Sequence, residues 1–323
     1  LAEIAAQNHH IFKELQYLSN IDYKPIRYIS FAHDEETYKA LEASKAWSKA
    51  EMIAPKQFRE EISPYFNANP KKYISALVSE DCWQATPGKV VDLVRNLGIA
   101  AGGTVMEDCR VLEACREGKY TSVLVQTHDK KYVEYRTEHF VNALGSGAGK
   151  LCDSMGIDAG LYPVRHQAFI TRRLPMLGKH GTNLDMLIDR QDYKGFSAVY
   201  GQQIAYTGQI IGCASPKLDA MRIDKNLKVN TKAFLEIVSE MFSEWIPDLA
   251  GVGIQAVWAG YYTEPRYIVD PELGLFVGMR GHGFMLSQYI ARMYVDKLLG
   301  RTVPEYFEKL KLNGPGLSEK AFK

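Results

Sequence analysis

No apolar stretch in this sequence approaches the roughly 20 residues needed to cross a membrane, and no basic-then-apolar run opens it as a secretory signal would. Charge of one sign is also missing. Lys and Arg number 39 against 38 Asp and Glu, a net charge of +1, with no block of like charge. That balance lacks the footprint of a nucleic-acid binder and favours a small-molecule partner. Cysteine is sparse: Cys82, Cys109, Cys115, Cys152 and Cys213 are odd in number and scattered, with no C-x-x-C pair. No histidine cluster completes a metal site, so no bound metal, reduced thiols and a cytoplasmic compartment are expected. There is no internal repeat and no low-complexity segment. The chain opens at Leu1 rather than Met, inside a helical pattern, which points to a processed or truncated start.

What is present is ordinary for a globular protein of one or two domains: 323 residues, 46% hydrophobic and 24% charged. Ile4, Ala5, Ile11, Phe12, Leu15 and Leu18 recur at helical spacing and predict an amphipathic helix over 1–20. Strands are expected at Arg27–Phe31 and Tyr73–Val78, with Asp34 capping the helix between them. Thr86-Pro87-Gly88 starts a helix that ends before Gly102-Gly103. Strands follow at 104–111, 122–127, 132–135 and 140–144, the last running into Gly145-Ser146-Gly147-Ala148-Gly149 and a helix from about 150. From Tyr162 to Ser215 short strands alternate with polar turns, as in an antiparallel sheet. A helix over 231–245, strands at 253–258 and 274–277, and a helix over 284–299 complete the pattern.

Two glycine-rich turns each join a strand to a helix, a geometry that aims backbone N–H groups and a helix dipole at an anion. The turn at 145–149 lacks the G-x-G-x-x-G spacing, and it reads equally as a tight turn between packed elements. The second is more specific: Gly278, Gly281 and Gly283 bracket Arg280 and His282 just before a helix, with Trp258-Ala259-Gly260 upstream.

The stretches Trp258-Ala259-Gly260-Tyr261-Tyr262, Gly274-Leu275-Phe276-Val277 and Gly281-His282-Gly283-Phe284-Met285-Leu286 resemble the C-terminal signature of the D-amino-acid oxidase family, nearest to sarcosine oxidases and dye-linked L-proline dehydrogenases. Val141 to Ala148 is similar to the family's strand-turn near the flavin, and Pro163-Val164-Arg165-His166-Gln167 to its Pro-x-Arg-Gly-Gln. Order and spacing agree along almost the whole chain. The departures are the absence of an opening G-x-G-x-x-G before the first matched segment, Thr263-Glu264-Pro265-Arg266 in place of Thr-Pro-Asp, Met279-Arg280 in place of Gly-Ser, and His166 in place of glycine.

The resemblance implies non-covalent FAD and oxidation of a secondary amine or amino acid, proline-like or sarcosine-like, by hydride transfer to flavin N5. It places Val105, Gly145, Ser146, Trp258, Gly260, Gly281, His282, Gly283, Phe284 and Met285 at the cofactor. Tyr200, Tyr262, Arg280 and His282 are its candidates for catalysis, and Gln202 and Arg266 for substrate binding. Each has a plainer reading: Tyr200 and Tyr262 as half-buried sheet aromatics, Arg266 as a solvated loop residue, His282 as a partner for a backbone carbonyl, Trp258 as core. The expected architecture is α/β, with a partial Rossmann-like FAD domain over 84–154 and 258–323, a substrate domain with an antiparallel sheet over 21–80 and 162–256, and 1–20 as a connecting helix. A catalytically silent subunit of a flavoenzyme complex, or a flavin dehydrogenase of a hydroxyl substrate such as glycerol 3-phosphate, are the alternatives. A homo- or hetero-oligomer is compatible with each reading, and the electron acceptor is open.

Overall fold

The computed structural model describes residues 1–47, 49–66, 69–177, 184–191, 196–204, 207–216 and 231–317. The chain runs through α1 (Ala2–Leu18), β1 (Lys24–Ala32), α2 (Glu35–Ser44), β2 (Ala50–Ile53), α3 (Phe58–Glu61), β3 (Ser75–Gln84) and α4 (Pro87–Ala100). Next come β4 (Arg110–Glu117), β5 (Tyr120–Gln126), β6 (Tyr132–Thr137), α5 (Ala148–Ser154), β7 (Tyr162–Thr171), β8 (Met186–Asp189), β9 (Phe196–Gln203) and β10 (Ile210–Pro216). The rest is α6 (Thr231–Trp245), β11 (Ile254–Glu264), β12 (Ile268–Asp270), β13 (Leu275–Val277) and α7 (Gly283–Leu298). Two compact units divide it: Leu1–Ile21 with Thr86–Val164 and Tyr262–Lys323, and Asp22–Ala85 with Arg165–Tyr261.

In the first unit α1 packs along α7, so the helix read from sequence as a connector is a wall of this core. Ile4 joins Leu286, Ile290, Met293 and Tyr294, which recur at helical spacing on one face of α7. The buried Asn8 side chain accepts the backbone N–H of Tyr289 at 2.8 Å, pinning the two helices in register. β4, β5 and β6 form an antiparallel meander, and β12 and β13 a short hairpin. The strand expected over 140–144 is reduced to one parallel bridge between Asn142 and Leu275. The backbone of Asn142 makes that bridge, donating to Gly274 O and accepting from Phe276 N–H. The strand expected from residue 104 starts only at Arg110, where pairing with Gln126 begins, so Val105 lies in irregular chain.

The second unit is built on an eight-stranded sheet of order β11-β7-β10-β9-β8-β1-β3-β2. It is mixed rather than wholly antiparallel, because β1 and β8 pair in parallel. Their connection is long enough to escape the hairpin constraint that makes neighbours antiparallel. On one face Phe169, Gly212, Gly201, Leu187, Ile29 and Val78 stand in one cross-strand row. Phe234, Ile237, Met241, Phe242 and Trp245 of α6 pack in the same core. The two glycines make room for rings: a Cβ at Gly201 would lie 2.5 Å from the Phe242 ring, and one at Gly212 2.4 Å from that of Phe169.

Candidate active site

Side chains alternate across a strand, so the residues flanking that core row face the other way. At the β3 end this second face is covered by α2, with Leu41 packed on Ala32 and Leu77. Over β7 to β1 it is half-exposed. Ala168, Cys213, Tyr200, Ile188 and Ser30 form one row. Ile170, Ile211 and Gln202, then Met186 and Tyr28, form the next. All of them are half-buried except Cys213, which is buried. The result is a shallow apolar floor carrying a few polar groups. Tyr200 and Gln202 are therefore brought together on one open surface.

These polar groups carry no charge. Burial pushes the Cys213 thiol up to about 11, against the opposing pull of its hydrogen bonds to Tyr200 and the backbone, so it stays protonated. His166, two residues before Ala168 and on its side of β7, is driven down to about 4 by burial and stays a neutral imidazole. Gln202 is oriented by Gln84, its Nε2 donating to Gln84 Oε1 at 2.9 Å.

In the first unit the turn at 278–283 is held by close backbone approaches. Gly278 has φ of +70°, and a Cβ there would lie 1.9 Å from the Arg266 carbonyl oxygen. At Gly281 a Cβ would meet the Tyr262 ring at 2.6 Å. Arg280 has φ of +50° and donates its backbone N–H to Thr263 O. Its Nε pairs with the buried carboxylate of Glu264 at 2.5 Å. Arg266 donates to the carbonyls of Gly314 and Leu312. Arg280, a candidate for catalysis, and Arg266, a candidate for substrate binding, are thus both engaged in holding the chain. His282 Nδ1 lies 2.6 Å from Tyr267 Oη, which fixes the ring at the N-cap of α7. Phe284 and Met285, in the first turn of that helix, are 39% and 43% exposed. Trp258, which the resemblance places at the cofactor and the plainer reading in the core, is 41% exposed.

The other glycine turn is anchored by Asn142, which sequence reading passed over. Its Nδ2 donates to Ala148 O at 3.1 Å, its Oδ1 accepts from Leu144 N–H, and its backbone bonds Gly274 and Phe276. Gly145, with φ of +55°, and Ser146 are exposed, as is Val105. Gln84, Asn142, Glu264 and Tyr267 were missed because their partners are set by the fold. Only Glu264 left a trace, as a departure from a motif.

The FAD dependent oxidoreductase family matches residues 1–297, and the chain belongs to that family. Solved structures agree in fold. L-Proline dehydrogenase from P. horikoshii is 22% identical with a TM-score of 0.75, over 96% of this chain and 81% of that one. Glycine oxidase from Geobacillus kaustophilus is 16% identical with a TM-score of 0.77, over the same shares. L-alpha-Glycerophosphate oxidase from Mycoplasma pneumoniae, solved with FAD bound, is 15% identical with a TM-score of 0.70, over 94% of this chain and 82% of that one. No curated protein sequence matches. The protein is an FAD-dependent oxidoreductase of mixed α/β fold, and no helix among the described residues is long and apolar enough to cross a membrane.

The residues present fit the flavin end of FAD. The N-terminus of a 16-residue helix supplies N–H donors, and Phe284 and Met285 in its first turn expose apolar surface suited to a planar ring. For the pyrophosphate the sequence offers no G-x-G-x-x-G turn.

Proposed function

We propose that the protein oxidises a secondary amine or amino acid, proline-like or sarcosine-like, with the first unit holding FAD and the open sheet face of the second receiving the substrate. The observation that carries this is the uncharged character of the two cross-strand rows: Tyr28, Ser30, Tyr200, Gln202 and the Cys213 thiol are their polar groups, joined by the neutral His166 and by Gln84, the hydrogen-bond partner of Gln202. A phosphate dianion calls for cations. An amino acid is served by hydroxyl and amide donors for its carboxylate and a carbonyl acceptor for its amine. That difference favours the amine over glycerol 3-phosphate, the second reading, which the glycerophosphate oxidase likeness brings forward. The proline dehydrogenase and glycine oxidase likenesses support the first.

Bound FAD supplies the hydride acceptor at N5. In this reading the Tyr200 hydroxyl donates to the substrate carboxylate and Gln202 accepts an amine N–H. Ile170, Ile211, Met186 and Ile188 exclude water, which strengthens both bonds. The dipole at the α7 N-terminus, beside Gly281, His282 and Gly283, favours negative charge on its ligand. Arg280 shapes that turn through Glu264, and Tyr262 backs it through Gly281. In the first unit Phe284 and Met285 would lie against the ring, with Val105, Gly145 and Ser146 toward the rest of the cofactor; Trp258 and Gly260 are the cofactor candidates that the second unit carries. The FAD-loaded protein is expected to reduce an artificial electron acceptor with L-proline or sarcosine and not with glycerol 3-phosphate. Turnover with glycerol 3-phosphate alone would replace the first reading by the second.

A further inference from the structure

Gln202 sits between Ile211 on one neighbouring strand and Met186 on the other. In that setting its amide has one polar contact among the described residues, Nε2 donating to Gln84 Oε1 at 2.9 Å. Gln84 lies at the end of β3, 118 positions before Gln202 in the chain. An amide whose N–H is taken by one neighbour keeps its carbonyl oxygen as an acceptor for another donor, and Gln202 stands on the same face of β9 as Tyr200. With the N–H held by Gln84, the carbonyl oxygen is the group of this amide that a ligand bearing an N–H can meet.

We propose that Gln84 is a positioning residue for substrate recognition: by accepting the Gln202 N–H it fixes the Gln202 carbonyl oxygen as the acceptor for a substrate amine, and so selects amine donors over hydroxyl donors. This rests on the reading of the open face as the substrate surface. The contact itself, and its consequence for selectivity, are new to it. An alcohol hydroxyl can also donate to this oxygen, but an amine that arrives protonated makes the stronger, charge-assisted bond, and it gives up that proton before hydride leaves its carbon.

The test is a double-mutant cycle on the FAD-loaded protein with L-proline, joined to the side-chain amide spectrum of Gln202 in 15N-labelled protein. Gln84→Met is expected to raise KM about tenfold, the loss of about one oriented hydrogen bond, with kcat changed less than about twofold. Gln202→Met is expected to do the same, and the double variant to cost no more than either single one, because both act through one oxygen. Gln84→Glu, which can only accept, restores KM to near the parent value in the Gln202 background and has no effect in Gln202→Met. In the spectrum, the Gln202 amide protons shift on Gln84→Met and keep their place on Gln84→Glu. Additive effects of the two Met variants, a Gln84→Glu effect that persists in Gln202→Met, or a Gln202 amide signal unmoved by Gln84→Met each overturn the proposal. The spectrum needs no turnover, so it separates the two claims: protein that no amine reduces but whose Gln202 signal responds to Gln84 loses the proposed function and the selectivity with it, whereas protein that L-proline reduces but whose Gln202 signal ignores Gln84 loses only this inference.

Discussion

His33 carries an acceptor on each ring nitrogen: the Lys72 carbonyl oxygen 2.8 Å from Nδ1 and an Asp189 carboxylate oxygen 2.8 Å from Nε2. Two acceptors call for two ring protons, and so for the imidazolium. Burial opposes that charge. The hydrogen bond and charge of Asp189, the Lys72 carbonyl and the charge of Asp34 outweigh it, and the pKa is raised. A raised folded value gives stability that is full below the ordinary histidine value of about 6.5 and is lost as pH climbs through the folded value. The melting temperature of the parent protein should therefore exceed that of His33→Gln by more at about pH 5.5 than at about pH 9. Equal differences at both pH values would remove the imidazolium from the account. His166 has the opposite sign: with its pKa depressed to about 4, acid costs the fold its neutral imidazole. Nothing local in the sequence marks either environment, since Asp189 lies 156 residues from His33.

At the scale of elements, the turn leading into α7 depends on two glycines for different reasons. Gly278 needs both a positive φ and the space taken by the Arg266 carbonyl, which is backbone and cannot move aside. Gly281 needs only space, and its neighbour is the Tyr262 ring, which can give. Denaturant unfolding should find Gly278→Ala destabilised by about 3 kcal/mol or more, and Gly281→Ala by about 1–2 kcal/mol. The reverse order would contradict the close approach at Gly278. This turn was legible in sequence because glycine spacing reports backbone geometry directly. So were α2 with its Asp34 cap, α7, and the alternation of β9 that sets Tyr200 and Gln202 on one side. Phe140–Leu144 misled for a physical reason: its residues have strand propensity, but propensity does not supply a neighbour, and one bridge to Leu275 is the pairing it makes. The roles of Arg266 and Arg280 were equally out of reach. A free guanidinium and one already bonded to Gly314 and Leu312 carbonyls, or to Glu264, look alike in a sequence.

Across the whole molecule the chain passes between its two units four times, at Ile21, Ala85, Val164 and Tyr261. Each unit is therefore assembled from distant segments. Composition pointed to a globular protein with a small-molecule partner, and the motif order announced the family. The division into units could be guessed from helix-rich and sheet-rich stretches, but not the parallel pairing of β1 with β8, which only a long-range connection permits. Helix α4 shows a second limit. Its periodicity is amphipathic, yet Val90 is its one buried residue, while Val91, Val94, Leu97 and Ile99 are exposed. Periodicity states that a stripe exists, not what lies against it. The substrate is the finer question that the uncharged sheet face addresses and that the family leaves open. An absorption spectrum of the FAD-loaded protein, taken before and after anaerobic L-proline and then sarcosine, tests the account most directly. Flavin bands that bleach with one of these amines are predicted, and bands that persist through both would contradict the amine reading.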